Sequence, residues 1–182
     1  MSPFFIVTTS RRPSRRVRRF CKELLSVIPN SVKVNRGKLS LDDLYLKALE
    51  LGGKRVILVS VLKGNPGVIS FYDVNDGLLK LFPWMIVAGV KFFFEQEGRR
   101  NFSANGLAVR FYDVSLERVA ASLANIFNCV FFSRDEMVDL SPDTAMLNVR
   151  FSLDGVLLSF TDTLNLPIGP IIKIKKFIFG DG

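Results

Sequence analysis

The sequence contains no histidine, which removes at once the commonest general base and the commonest metal-ligating side chain. Cysteine is nearly as scarce. Cys21 and Cys129 sit among apolar neighbours, where a reduced thiol behaves as a small hydrophobe, and two such residues cannot build a disulfide scaffold. Neither a metal site nor a cofactor is expected. Gly52-Gly53-Lys54-Arg55 lacks the spacing and the Ser or Thr of a phosphate-binding P-loop, and there is no dinucleotide fingerprint.

Long apolar runs are missing too. The best candidate for a membrane span, "LFPWMIVAGVKFFF" from Leu81 to Phe94, is interrupted by Pro83, Gly89 and Lys91 and falls short of the roughly 20 residues a spanning helix needs. It reads as buried strands, and no membrane partner is expected. Phe4 to Val7 is apolar but is followed by arginines, the reverse of a secretory signal's order. A cytoplasmic location is the expectation.

Acidic residues are scarce where basic ones are dense. The chain carries +8 overall, and residues 1–60 hold thirteen Lys or Arg against Glu23, Asp42, Asp43 and Glu50, whereas the remainder is nearly balanced with twelve basic and thirteen acidic residues. The whole excess lies in the first third. That localisation points to one anionic partner rather than to general solubility.

What is present is a globular chain of 182 residues, 48% hydrophobic and 23% charged, long enough to bury a core in one domain or in two small halves. Phe4–Thr9 reads as a strand. A helix follows, with Pro13 in its first turn, Ser10 or Ser14 as cap, and Val17, Phe20, Cys21, Leu24, Val27 and Ile28 at helical spacing until Pro29. Ser31–Val34 is a short strand and Asn35–Lys38 a turn. Ser40 with Asp43 is a capping signature for a second helix closed by Gly52-Gly53. Val56–Leu62 and Val68–Val74 are strands joined by the turn Lys63–Gly67.

In the second half, strands at Ala108–Tyr112 and Cys129–Phe132 flank a helix near Ser115–Phe127. Ser133 with Glu136 predicts a short helix ending before Pro142. Leu147, Val149, Phe151 and Leu153 alternate with Asn148, Arg150 and Ser152, and Asp154-Gly155 turns the chain into Val156–Thr161, which predicts a hairpin with one solvated face. Ile171–Phe179 is the last strand. "SLDDLYLKAL" from Ser40 echoes "SLERVAASLA" from Ser115, weak evidence for two similar halves, while the recurrence of "FYDV" at Phe71 and Phe111 has a different offset and is coincidence.

The densest chemistry is "TTSRRPSRRVRRF", in which Arg11, Arg12, Arg15, Arg16, Arg18 and Arg19 crowd into nine positions. On a helical wheel the apolar residues fall within about 80° of Val17, with Arg15, Arg19 and Lys22 opposite, Arg16 and Arg18 on the flanks, and Arg11 and Arg12 joining them if the helix reaches that far. Alone, the arrangement is unfavourable. Like charges four apart cost ~0.2–0.5 kcal/mol per pair, and each cation in a first turn opposes the helix dipole by ~0.3–1 kcal/mol. A bound phosphate reverses these signs, because free N–H groups, the dipole and the guanidinium forks then face one anion. The plain alternative is an arginine-rich solvated surface of ion-pair networks, but Glu23 is the single acid among these arginines.

Other features read as structural. Asp42, Asp43, Asp135 and Glu136 suit first-turn capping. Phe92–Phe94, Phe131 and Phe132 suit core strands, and Lys173, Lys175 and Lys176 suit the protection of an edge strand.

Three motifs in order, "VTTSRRPSRRVRRFCKEL", "VNRGKLSLDDL" and "LKGNPGVISF", make residues 5 to about 74 resemble the Brix-domain family of ribosome-assembly proteins, nearest to its short archaeal members of the small-subunit processome type. "YDVNDGLLKLF" departs from the Gly-Pro-Thr segment that nuclear members often carry next. The resemblance implies an α/β (α+β) fold in a single domain, 1–182, of two tandem similar halves, about 1–76 and 77–182. Each half would be a mixed sheet with helices, similar to the anticodon-binding domains of class IIa aminoacyl-tRNA synthetases. It implies a non-enzymatic role in pre-rRNA processing and subunit assembly, with ribosomal RNA or its precursor, and other assembly proteins, as partners. The RNA-facing positions it carries over are Ser10, Arg11, Arg12, Ser14, Arg15, Arg16 and Arg19, with Asn35, Arg36 and Lys38 beside them. Arg18 and Lys22 of the same cationic helix complete the candidate site. An enzyme that holds a phosphorylated small molecule with these arginines is the alternative.

Overall fold

A computed structural model describes residues 4–180. The chain runs β1 (Phe5–Thr9), α1 (Arg15–Val27), β2 (Ser31–Lys33), α2 (Leu41–Leu51), β3 (Arg55–Leu62), β4 (Asn65–Val74), β5 (Leu78–Lys91), β6 (Gly106–Phe111), α3 (Glu117–Phe127), β7 (Val130–Ser133), β8 (Thr144–Ser152), β9 (Gly155–Thr161) and β10 (Pro167–Ile178). Short 3₁₀ turns at Phe93–Glu95 and Val114–Leu116 follow β5 and precede α3.

All ten strands form one mixed sheet in the order β2-β1-β3-β4-β5-β10-β9-β8-β6-β7. The expected separate sheets are thus merged, because β5 pairs antiparallel with β10 along most of its length. β1 runs parallel to both β2 and β3, and β6 runs parallel to both β7 and β8; the hairpins β3–β4 and β8–β9 are antiparallel. Consequently β1 and β6 point in opposite directions, and their C-terminal ends lie on opposite edges of the sheet.

Alternation along the strands sorts the residues onto two faces. Phe5 and Val7 of β1, Val109 of β6 and Leu147 and Val149 of β8 share one continuous core with the buried faces of α1 and α3. On the other face, Ile6, Val56 and Leu58 meet Leu44 and Ala48 of α2. The echo between Ser40 and Ser115 therefore joins unlike elements, since α2 and α3 cover opposite faces.

The first helix is held by burial. Val17, Phe20, Cys21, Leu24 and Val27 are all buried, and full burial of such a side chain contributes roughly 1.5–3 kcal/mol. That sum exceeds the charge penalties on the outer face, so the arginines are tolerated. β10 comes close enough to α1 only because residue 169 is glycine: a Cβ there would stand 2.7 Å from Val27 Cγ1.

Several expectations change. The apolar run from Leu81 is the bulk of a single strand, β5, and Phe93 and Phe94 lie beyond it in a 3₁₀ turn with Phe94 exposed. No helix forms at 134–141, although Ser133 N–H does donate to Glu136 Oε1 at 2.9 Å; Met137 and Val138 stay exposed, so a helix there would have no face to bury. The β8–β9 hairpin is not solvated along one face, since Thr144–Val149 are all buried and it is Phe151 and Leu153 near the turn that are exposed. β10 is central rather than an edge, and its Lys173 pairs with Asp154 at 2.6 Å. Lys63–Gly64 alone turns the β3–β4 hairpin, both at positive φ as a two-residue type I′ loop requires. Among the described residues no helix is long and apolar enough to cross a membrane.

Candidate nucleic-acid interface

The arginine-rich segment leaves the C-terminal end of β1 and enters α1. Ser14, not Ser10, is the cap: its Oγ accepts from Val17 N–H at 3.1 Å. Pro13 thus precedes the helix. Arg12, as the residue before proline, is sterically pushed out of helical backbone and takes φ 55°. Arg11 and Arg12 therefore belong to the loop, and the expected Arg11–Arg15 and Arg12–Arg16 helical repulsions do not arise; Arg15–Arg19 and Arg18–Lys22 remain. Ser10 continues the β1–β3 ladder, its N–H donating to Val59 O at 2.9 Å and its Oγ accepting from Val61 N–H at 3.3 Å.

The arginines divide between two clefts beside the helix start. Towards β2, Arg12, Arg18, Lys33, Asn35 and Arg36 line a cleft of about 530 Å³. Towards the β3–β4 turn, Arg16 lines one of about 340 Å³ with Lys63 and Asn65. Arg16 Nε donates to Asn65 Oδ1 at 2.7 Å and its guanidinium lies 4.7 Å from the Phe92 ring centroid. Arg19 lies 4.2 Å from the Phe94 centroid and 3.4 Å from Glu23. Glu23 is divided, its other oxygen accepting from Phe93 N–H at 2.8 Å. Among the described residues it is the one carboxylate within ion-pair distance of the six arginines. Arg15 and Lys22 are exposed on the outer face of α1, and Lys38 is exposed beside the first cleft.

Arg36 carries the sharpest electrostatic signal. It begins a turn in which Leu39 N–H donates to Arg36 O at 2.9 Å and Gly37 takes φ 52°. Its Nε donates back to Leu39 O at 2.6 Å, and Arg11 Nε reaches the same carbonyl at 3.5 Å. The residue is only 7% exposed, and its Nη1 is buried with no hydrogen-bond partner. Burial first, and the neighbouring Arg11 charge second, hold its pKa below the ordinary arginine value. A buried cation without a counterion is costly, and an anion entering the cleft offsets that cost.

The sequence therefore placed twelve candidates that the fold gathers around one helix start, with Arg16 and Arg19 already engaged by Asn65, Phe92, Phe94 and Glu23. It missed Lys33, Asn65 and the two ring contacts. The sequence pattern puts Phe94 in the core, and only the return of β5 beside α1 brings it under Arg19. Asn65 could have been suspected from the Lys63–Gly67 turn, which carries the same basic and polar character.

No protein-family model matches the chain. Curated relatives match nearly its whole length. A probable Brix domain-containing ribosomal biogenesis protein of Aeropyrum pernix is 32% identical over 186 residues, covering 93% of this chain and 94% of the relative. A protein of the same description from Sulfurisphaera tokodaii is 29% identical over 174 residues, covering 94% and 92%. Among solved structures, a probable ribosomal biogenesis protein from Aeropyrum pernix superposes with a TM-score of 0.77 at 28% identity, covering 96% of both chains. Mil, an archaeal Imp4-like protein, gives 0.68 at 25% identity, covering 96% and 99%. Identity above 30% sustained from end to end, together with a shared fold, means that this chain belongs to the Brix-domain family of ribosomal biogenesis proteins.

Proposed function

We propose that this chain is a non-enzymatic ribosome-assembly factor that binds ribosomal RNA or its precursor through the α1 start and the Arg36 turn, assisting pre-rRNA processing and subunit assembly. The observation that carries the reading is the uncompensated charge: six arginines meet one shared carboxylate, and Arg36 Nη1 is buried without a partner beside them. Backbone N–H groups at the start of α1, the helix dipole and the guanidinium forks all favour phosphate there. Such a surface reads phosphates and shape more than base identity, so affinity falls steeply with salt as counterions are released.

The two-half organisation belongs to the same proposal. The strand order β2-β1-β3-β4-β5 is matched by β7-β6-β8-β9-β10 with the same parallel and antiparallel senses. This supports a single domain of two related halves, but with β5 in the first, so the division falls between β5 and β6 rather than near residue 76. The anticodon-binding-domain type of each half rests on the family resemblance, and the α1 arginine cluster belongs to the first.

Replacing Arg11, Arg12, Arg15 and Arg16 with alanine is expected to abolish binding to a ribosomal RNA fragment while the thermal midpoint changes little, because relief of the Arg15 charge at the helix start is offset by loss of the Arg16 contacts with Asn65 and Phe92. Unchanged binding sinks the reading. Millimolar nucleotides or sugar phosphates are expected to leave the RNA complex intact; ready displacement by them indicates a small-molecule site instead.

A further inference from the structure

α2 covers the second face of the sheet over β1 and β3, but no helix lies between β7 and β8. There the segment 134–143 supplies Leu140, which closes Ala108, Phe132 and Met146. Beyond those three residues the same face bears Arg110 of β6, two positions past Ala108, and Asn148 and Arg150 of β8. With Arg134 and Tyr112 they line a cavity of about 460 Å³. It lies across the sheet from α1 and α3, in the half whose net charge gave no sign of an anionic partner.

Arg110 is the centre of this cavity and is oriented by neutral groups alone. Its Nε donates to Asn148 Oδ1 at 2.8 Å, an Nη2 hydrogen goes to Asn165 Oδ1 at 2.6 Å, and the guanidinium lies 5.2 Å from the Tyr112 centroid. Two of the five N–H donors are thereby used. Asn148 is 3% exposed and is itself fixed, its Nδ2 donating to Thr161 Oγ1 at 2.9 Å. Arg110, Asn148 and Ser159 form one row across β6, β8 and β9. Among the described residues Arg110 and Arg150 have no carboxylate partner, and the single ion pair at the cavity joins Arg134 to Asp135 at 3.4 Å on the exposed rim. One buried amide, Asn148, and one exposed amide, Asn165, hold an un-neutralised guanidinium in place, which preorganises it for an anion.

We propose that this cavity takes a backbone phosphate of RNA, so that the protein holds RNA on both faces of its sheet. The ligand class rests on the function proposed above. A phosphodiester accepts bidentate guanidinium forks and repeats its charge at each nucleotide, which lets one strand touch Arg110 and then Arg150. Asn148 and Ser159 are buried and serve to hold Arg110 rather than to meet a ligand. Thr161, Phe160, Pro167 and Ile171 complete the lining, and an acidic peptide is the competing occupant that the test separates. Asp135 stands at the rim of the cavity, paired with Arg134.

The test is salt-dependent titration of a ribosomal RNA fragment with the wild-type chain, an Arg15→Ala/Arg18→Ala variant and an Arg110→Gln/Arg150→Gln variant, with a polyglutamate peptide as competitor. The cavity variant is expected to bind about tenfold more weakly, and the slope of log K against log salt to shrink by ~1–2, about 0.7–0.9 for each phosphate no longer neutralised. The α1 variant shrinks the slope separately. Arg150→Gln alone alters an exposed, unpaired residue and keeps the measurement valid if the double variant unfolds; it is expected to lower the slope by ~0.7. Wild-type affinity and slope in both cavity variants, with binding lost in the α1 variant, overturn the second site and leave the proposed function standing. Loss of polyglutamate binding with RNA binding intact assigns the cavity to a peptide and overturns it too. A wild-type chain that holds no RNA removes both readings.

Discussion

The hydroxyl of Ser14 donates to the carbonyl of Gly64 at 2.6 Å while accepting from Val17 N–H at 3.1 Å. One side chain thus both caps the arginine helix and ties it to the β3–β4 turn, which positions Arg16 beside Asn65. Ser14→Ala removes both bonds and is expected to cost about 1 kcal/mol in thermal or denaturant unfolding. Ser14→Asp keeps an acceptor for the cap, loses the donor to Gly64 and sets a carboxylate where phosphate is proposed to bind. Its stability is expected to stay near wild type while RNA affinity falls at least as far as in Ser14→Ala. Equal affinity in Ser14→Asp and wild type contradicts an anion site at this helix start.

Arg15 offers a test in which stability and binding move in opposite directions. It occupies the first position of α1, exposed, with no acidic residue in the first turn. Arg15→Glu replaces repulsion of the helix dipole by attraction, a gain of about 0.3–1 kcal/mol, and converts the like-charge pair with Arg19 into an attractive one of about 0.2–0.5 kcal/mol. Denaturant titration is therefore expected to show a more stable protein, and a binding titration a weaker RNA complex. A destabilised variant means that this charge cluster serves the fold.

How much of this was legible follows from where each signal resides. α1 and α2 carry their apolar stripes and caps within a dozen residues, and Ser40 with Asp43 forms the reciprocal capping box that their spacing predicts. The 133–141 segment carries an analogous cap pair, Ser133 with Glu136, but Pro142 leaves it too short for more than two turns and Met137 and Val138 find nothing to pack against, so the cap contact forms without a helix. Charge density marked the arginines, yet Pro13 decides which of them are helical. The ring contacts of Arg16 and Arg19, and the placement of Lys33 by Arg18, depend on strand order over separations of up to 76 residues, and no local pattern reports those. The Arg110 cavity was invisible for the same reason: its arginines come from β6, β7's end and β8, each isolated in sequence.

The missing histidine gives a specific pH profile. Asp43 is held below the usual carboxylate range by hydrogen bonds from Ser40 first, with the Arg11 and Arg36 charges adding to them. Asp113, Asp143 and Asp154 are lowered chiefly by Ser115, by Ser141 with Asn105, and by Lys173. A carboxylate whose folded pKa is depressed contributes stability that is present above its unfolded value, ~3.9, and lost as pH falls through the folded one. Thermal midpoints are therefore expected to be flat from about pH 5 to 8 and to decline below about pH 4, with the decline smaller in Asp43→Asn. A transition centred between pH 6 and 7 contradicts this assignment.

Gly169 separates the scaffold from the site. A Cβ there would lie 2.7 Å from Val27 Cγ1 and 2.9 Å from Phe160 Cβ, and both neighbours are buried in the main core. Neither can retreat into solvent, so α1 or β10 must shift. Gly169→Ala is expected to lose about 1–3 kcal/mol by overpacking, which for a chain of this size lowers the melting midpoint by roughly 3–10 °C. Gly89→Ala, where a Cβ meets nothing within 4 Å, is the matched control and is expected to stay within about 0.5 kcal/mol of wild type. RNA affinity of Gly169→Ala at a temperature where it is folded is expected to be unchanged, because Gly169 lines neither arginine cleft; Gly89, which lines the Arg16 cleft, is a control for stability alone. A large loss of affinity in folded Gly169→Ala shows instead that the spacing between α1 and β10 sets the geometry of the arginines.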